Sequence, residues 1–116
     1  MESVVLELPF MSQEFNHSPK WTMSGANLVL MLEYQTETGE YQPASLTFYQ
    51  VSKYSYFSPG EGGPDMAKAY DRLIRLSPER ALSLPTYRIF FDERGSFEVT
   101  CKSVVFDFKG TKQEIA

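Results

Sequence analysis

PDMAKAYDRLIRL, Pro64 to Leu76, is the stretch on whose reading the fold turns. Met66, Ala69, Tyr70, Leu73 and Ile74 recur at helical spacing, which predicts an amphipathic helix with Lys68, Asp71, Arg72 and Arg75 elsewhere on its surface. Pro64 suits a first helical turn, Asp65 complements the positive end of the helix dipole, and Asp71 and Arg75 stand four residues apart as an ion pair. Ser77 precedes Pro78 and is biased away from helical geometry, so the helix ends there, with room for one further capped turn at PERAL.

Around this helix, five runs read as strands. In SVVLEL (Ser3 to Leu8), Val4, Leu6 and Leu8 share one face before Pro9 stops the run. NLVLMLEY (Asn27 to Tyr34) is apolar at nearly every position, the pattern of a central strand covered on both faces. TETGE (Thr36 to Glu40) supplies turn chemistry after it. ASLTFYQVSKYSYF (Ala44 to Phe57) is long, and Val51 breaks the parity of Leu46 and Phe48. One inserted residue near Tyr49–Gln50 restores a single inward face that also takes Tyr54 and Tyr56. TYRIFFD (Thr86 to Asp92) and SFEVTCKSVVFDF (Ser96 to Phe108) flank a tight turn at Gly95. In the latter, Phe97, Val99 and Cys101 share one parity and Val104, Phe106 and Phe108 the other, which predicts a second bulge at Lys102–Ser103.

The expected fold is therefore α+β: one domain over residues 1–116, a curled and mainly antiparallel sheet of about five strands, and one helix packed on one face. Composition agrees with an ordinary globular chain at 42% hydrophobic and 22% charged. Aromatic residues, at 15%, exceed the usual share and favour strands.

Several function classes are disfavoured. A net charge of −4 with eleven scattered basic residues is a poor match for nucleic acid, which needs clustered Lys and Arg. MESVVLELPF carries no basic leader, and its apolar run is too short for a membrane span. The single cysteine rules out an internal disulfide and fits a reducing compartment, so a cytoplasmic location is expected. NHS at Asn16 to Ser18 is then a chance match to a glycosylation sequon.

The candidate chemistries are thin. Gly60, Gly62 and Gly63 precede the predicted helix, but no lysine or hydroxyl follows them, and Glu61 and Asp65 would repel a phosphate. A turn with a helix start explains that loop, whose glycines would also let it move. Cys101 and His17 are the only residues of their kinds; Cys101 alternates with inward residues and reads as inert, while His17 lies in a loop. One His and one Cys do not make a metal site, and no cofactor is implied. Asp92, Glu93 and Asp107 are the carboxylates a hydrolase would use, though Asp92 and Glu93 read more simply as the flank of a hairpin.

Aromatic surplus is the feature that points to function. One helix covers one face of a sheet, so either the sheet curls or the uncovered side meets a partner. The expectation is a non-enzymatic interaction domain, an acidic inhibitor, immunity-type protein or adaptor. It would recognise another protein, basic or a second copy of itself, through Tyr49, Tyr54, Tyr56 and Phe57. A small-molecule carrier with a pocket lined by Trp21, Phe48, Tyr70 and Phe90 is the alternative, and a carboxylate hydrolase the second.

Overall fold

A computed structural model describes residues 2–59, 69–76, 83–91 and 94–115. The strands, in chain order, are β1 (Glu2–Glu7), β2 (Lys20–Ser24), β3 (Asn27–Gln35), β4 (Tyr41–Tyr49), β5 (Lys53–Phe57), β6 (Arg72–Leu76), β7 (Thr86–Phe91), β8 (Gly95–Thr100), β9 (Ser103–Phe108) and β10 (Thr111–Glu114). They form two five-stranded antiparallel sheets, ordered β1-β6-β7-β8-β5 and β10-β9-β4-β3-β2. The sheets share one apolar core, so the architecture is a β-sandwich rather than a sheet with a helix upon it.

The α+β expectation fails at its deciding stretch. Arg72–Leu76 is strand β6, paired with β1 on one side and β7 on the other. Among the described residues there is no α-helix, and Ser12–Glu14 forms a single 3-10 turn. The reason lies in RLIRL: Leu73 and Ile74 are adjacent, point to opposite faces of β6, and are both buried. A strand covered on both sides shows a short apolar run, and over so few residues such a run mimics a helical stripe.

Asp71 takes a left-handed φ of 52°, which no helix accommodates. Its N–H donates to the Phe90 carbonyl at 2.8 Å, and its own carbonyl accepts from the Leu8 N–H at 3.0 Å. Its carboxylate accepts from the Ser12 N–H at 3.1 Å. The supposed surface partner of Arg75 is thus a clamp between the end of β1, the 3-10 turn and β7. The first half of the predicted helix and the Gly60–Gly63 loop lie outside the described residues.

The two parity breaks have one cause. β4 pairs with β9 from Ser45↔Asp107 to Tyr49↔Ser103, and β5 pairs with β8 from Lys53↔Thr100 to Phe57↔Ser96. Two long strands therefore run together through both sheets and bend where they cross. At the bend Gln50, Val51 and Ser52 oppose Cys101 and Lys102, so one residue is inserted, on the Gln50 side. The Ser52 N–H donates to the Thr100 carbonyl at 2.9 Å and the Lys102 N–H to the Tyr49 carbonyl at 3.0 Å, which carries the ladder through the corner.

β3 is covered on one face only: Leu28, Leu30 and Leu32 are buried, whereas Met31 is exposed. At β3 the outer side of the sheet is left to water, which is why the doubly covered reading of NLVLMLEY does not hold. β2 and β10 were not foreseen; their five and four residues are all exposed and show no burial alternation.

Cys101 sits at the corner with no exposed surface, and burial pushes its thiol from the ordinary 9.0 up to about 12. Burial also raises the neighbouring Tyr87 hydroxyl, against a partial offset from the Arg75 guanidinium opposite it. Both groups are held neutral in the fold, so their stabilisation is complete below about pH 9 and is lost as pH rises toward 12. Urea midpoints should stay level from neutrality to that point and then fall, with Cys101→Ala removing part of the decline. A thiol reagent should label Cys101 only after denaturation; rapid labelling of the native protein would contradict a buried, neutral thiol.

Candidate interaction edge

β5 ends one sheet and β2 ends the other. Trp21 and Met23 of β2 stand opposite Leu30 and Leu28, and Tyr54 and Tyr56 of β5 opposite Val99 and Phe97. Cross-strand partners share a face, so all four point to the inner side of their sheets. They lie at the rim where that inner layer runs out. Trp21 and Tyr56 remain 37% exposed, Met23 40% and Tyr54 41%.

Aromatic contacts close the sandwich here. The Trp21 ring stacks on Tyr56 with centroids 4.9 Å apart and meets Phe97 edge-on at 5.0 Å. Tyr56 is held from behind as well. Its hydroxyl donates to the Arg94 carbonyl at 3.1 Å. The Arg94 guanidinium in turn donates to the Phe15 carbonyl at 2.9 Å and the Ser18 hydroxyl at 3.1 Å. Gly95, at φ 94°, lies beneath the Tyr56 ring: a Cβ there would stand 2.5 Å from the Phe57 carbonyl oxygen and 2.7 Å from Tyr56. The edge is therefore held in place by contacts within the fold.

The expected site residues fall in several places. Trp21 and Tyr56, assigned to different sites in the sequence reading, touch. Tyr54 joins them on the same edge, and Phe57, at the end of β5, is half-buried. Tyr49 is 36% exposed, but it faces outward from β4 opposite Ser103. Phe48 is wholly buried in the core, while Tyr70 and Phe90 pack on each other with centroids 5.6 Å apart. Met23 was missed; the Trp21–Met23 alternation ahead of Gly25 is the signal that reveals it.

The other candidate groups do not assemble. Asp92 and Glu93 lie outside the described residues. Asp107 is half-buried on β9, opposite Ser45 and Lys112. His17 is exposed with its Nδ1 3.6 Å from a Glu33 carboxylate oxygen, and Cys101 is in the core. Among the described residues no group of three or more His, Cys, Asp or Glu gathers to hold a metal ion. Within the same residues no helix is long and apolar enough to cross a membrane. The chain matches no known family model, no curated protein and no solved structure.

Gly95→Ala should lower stability by more than about 2 kcal/mol, because strain at positive φ adds to a clash with backbone and a held ring. Gly25→Ala has the same kind of φ, 61°, yet nothing within 4 Å, and should cost only about 1 kcal/mol. Chemical denaturation of the two variants side by side checks this.

Proposed function

We propose that the protein is a non-enzymatic interaction module that binds another protein through the aromatic edge of β2 and β5, most simply a second copy of itself. The observation that carries this reading is four large apolar side chains, each more than a third exposed, on two terminal strands held together by the Trp21–Tyr56 stack. Clustered exposed aromatics on a rigid base are what an interface core requires, since little ordering entropy is lost on contact. Among the described residues β5 and β2 are the terminal strands of their sheets, beside the rings they carry.

Self-association is favoured because the same patch can meet itself across a twofold axis. The alternative occupant is a basic protein, to which the net charge of −4 is complementary, in the manner of an acidic inhibitor or adaptor. A reducing, cytoplasmic setting belongs to the same proposal, supported by the single, buried cysteine.

Sedimentation velocity over roughly 1–100 μM, the range of weak dimers, tests it. The unmodified protein should sediment as a dimer at the upper end and Tyr54→Glu as a monomer with an unchanged circular dichroism spectrum. Tyr49→Glu, on a different face, should leave association intact. A monomer at every concentration, or a dimer broken by Tyr49→Glu and not by Tyr54→Glu, removes self-association through this edge.

A further inference from the structure

The ring cluster elsewhere in the sandwich has another character. Phe10, just after β1, Tyr34 near the end of β3, and Phe108 at the end of β9 converge beneath an open cleft of about 470 Å³. Phe10 stacks on Tyr34 with centroids 5.7 Å apart, and Tyr34 meets Phe108 edge-on at 4.7 Å. The rings are inclined to one another by 24° to 66°, so they line the cleft with both faces and edges, and all three are only half-buried.

The rim is polar, and most of it is already satisfied. In the β3–β4 turn the Thr36 N–H donates to the Glu40 carbonyl at 2.8 Å and the Gly39 N–H to the Thr36 carbonyl at 2.9 Å. The Thr36 and Thr38 hydroxyls bond each other at 3.0 Å, and the Gln35 amide donates to Gly39. Lys109 is different. It belongs to the tight β9–β10 turn, where it and Gly110 have φ of 54° and 76°, and its ammonium lies 5.2 Å from the Phe108 ring centroid. No described carboxylate is within ion-pair distance of it.

We propose that this cleft is a small-molecule site for a flat aromatic anion, whose ring packs against Phe10, Tyr34 and Phe108 and whose carboxylate meets Lys109. The volume falls within the range of small-ligand pockets, and the lining offers aromatic faces and edges against which planar rings pack in stacked or edge-to-face geometry. The Lys109 ammonium, paired with no carboxylate among the described residues, favours a negative charge on the ligand. The site uses no residue of the β2–β5 edge, so it stands apart from the interaction proposal.

The test is a titration of the ¹⁵N-labelled full chain with 2-naphthoate, followed by amide shifts. Saturable shifts should appear at Phe10, Tyr34–Thr38 and Phe108–Gly110, with a dissociation constant of roughly 10–1000 μM. The neutral analogue 2-naphthalenemethanol should bind about tenfold more weakly, and Lys109→Asn should weaken naphthoate by a similar factor. Asparagine tolerates the left-handed backbone at this position, so that variant keeps the turn. Three outcomes overturn the proposal: no saturation at millimolar naphthoate, equal affinity for the neutral analogue, or shifts centred on Trp21 and Tyr56 instead.

Discussion

Everything in this sandwich depends on one bent ribbon. The Ala44–Phe57 and Ser96–Phe108 segments stay hydrogen-bonded to each other while passing from one sheet to the other, and each sheet grows from its half of that ribbon. β3 and β2 add beyond β4, and β7, β6 and β1 add beyond β8. The corner is packed as well as bonded. Phe48 and Val104 precede and follow it, Cys101 fills it, and all three are fully buried. Close packing leaves little space there, so a larger side chain at Cys101 would have to push the two sheets apart.

The corner was half legible in the sequence. Both parity breaks, Phe48 to Val51 and Cys101 to Val104, are visible in the chain, and a local insertion is the simplest way to reconcile each one. What the sequence does not display is that the breaks face each other. Once Tyr49 is paired with Ser103, a single inserted residue serves both strands, and inward-facing side chains switch from one sheet's interior to the other's. Strand positions were readable because alternation is a property of each strand alone; the number of sheets was not, because it belongs to the pairing.

The helix error has a similar origin. Leu73 and Ile74 are buried for independent reasons, one in the shared core and the other on the reverse face of the sheet. Local periodicity cannot tell such a strand from one helical turn. Asp71 decides the matter through long-range bonds to Leu8, Ser12 and Phe90, which lie far away in sequence. The aromatic surplus, by contrast, was read as strand-forming, and the rings do thread the sandwich. Contacts pass from Phe108 through Phe10, Phe15, Phe91 and Phe97 to Trp21 and Tyr56, and both candidate sites are places where that thread comes to the surface.

The terminal strands show that this surfacing is not a general consequence of being at an edge. β10 reads TKQE, four exposed residues with two charges and no large apolar group, the composition that keeps an edge from pairing with other chains. β2 and β5 each carry one lysine, Lys20 and Lys53, yet they also present Trp21, Met23, Tyr54 and Tyr56. Tyr41, Tyr49 and Tyr70 are exposed elsewhere, whereas Trp21, Tyr54 and Tyr56 come together where the two sheets meet, with Tyr56 braced by Gly95 and the Arg94 carbonyl from behind. A protected edge and an unprotected one, β10 and β2, thus bound the same sheet.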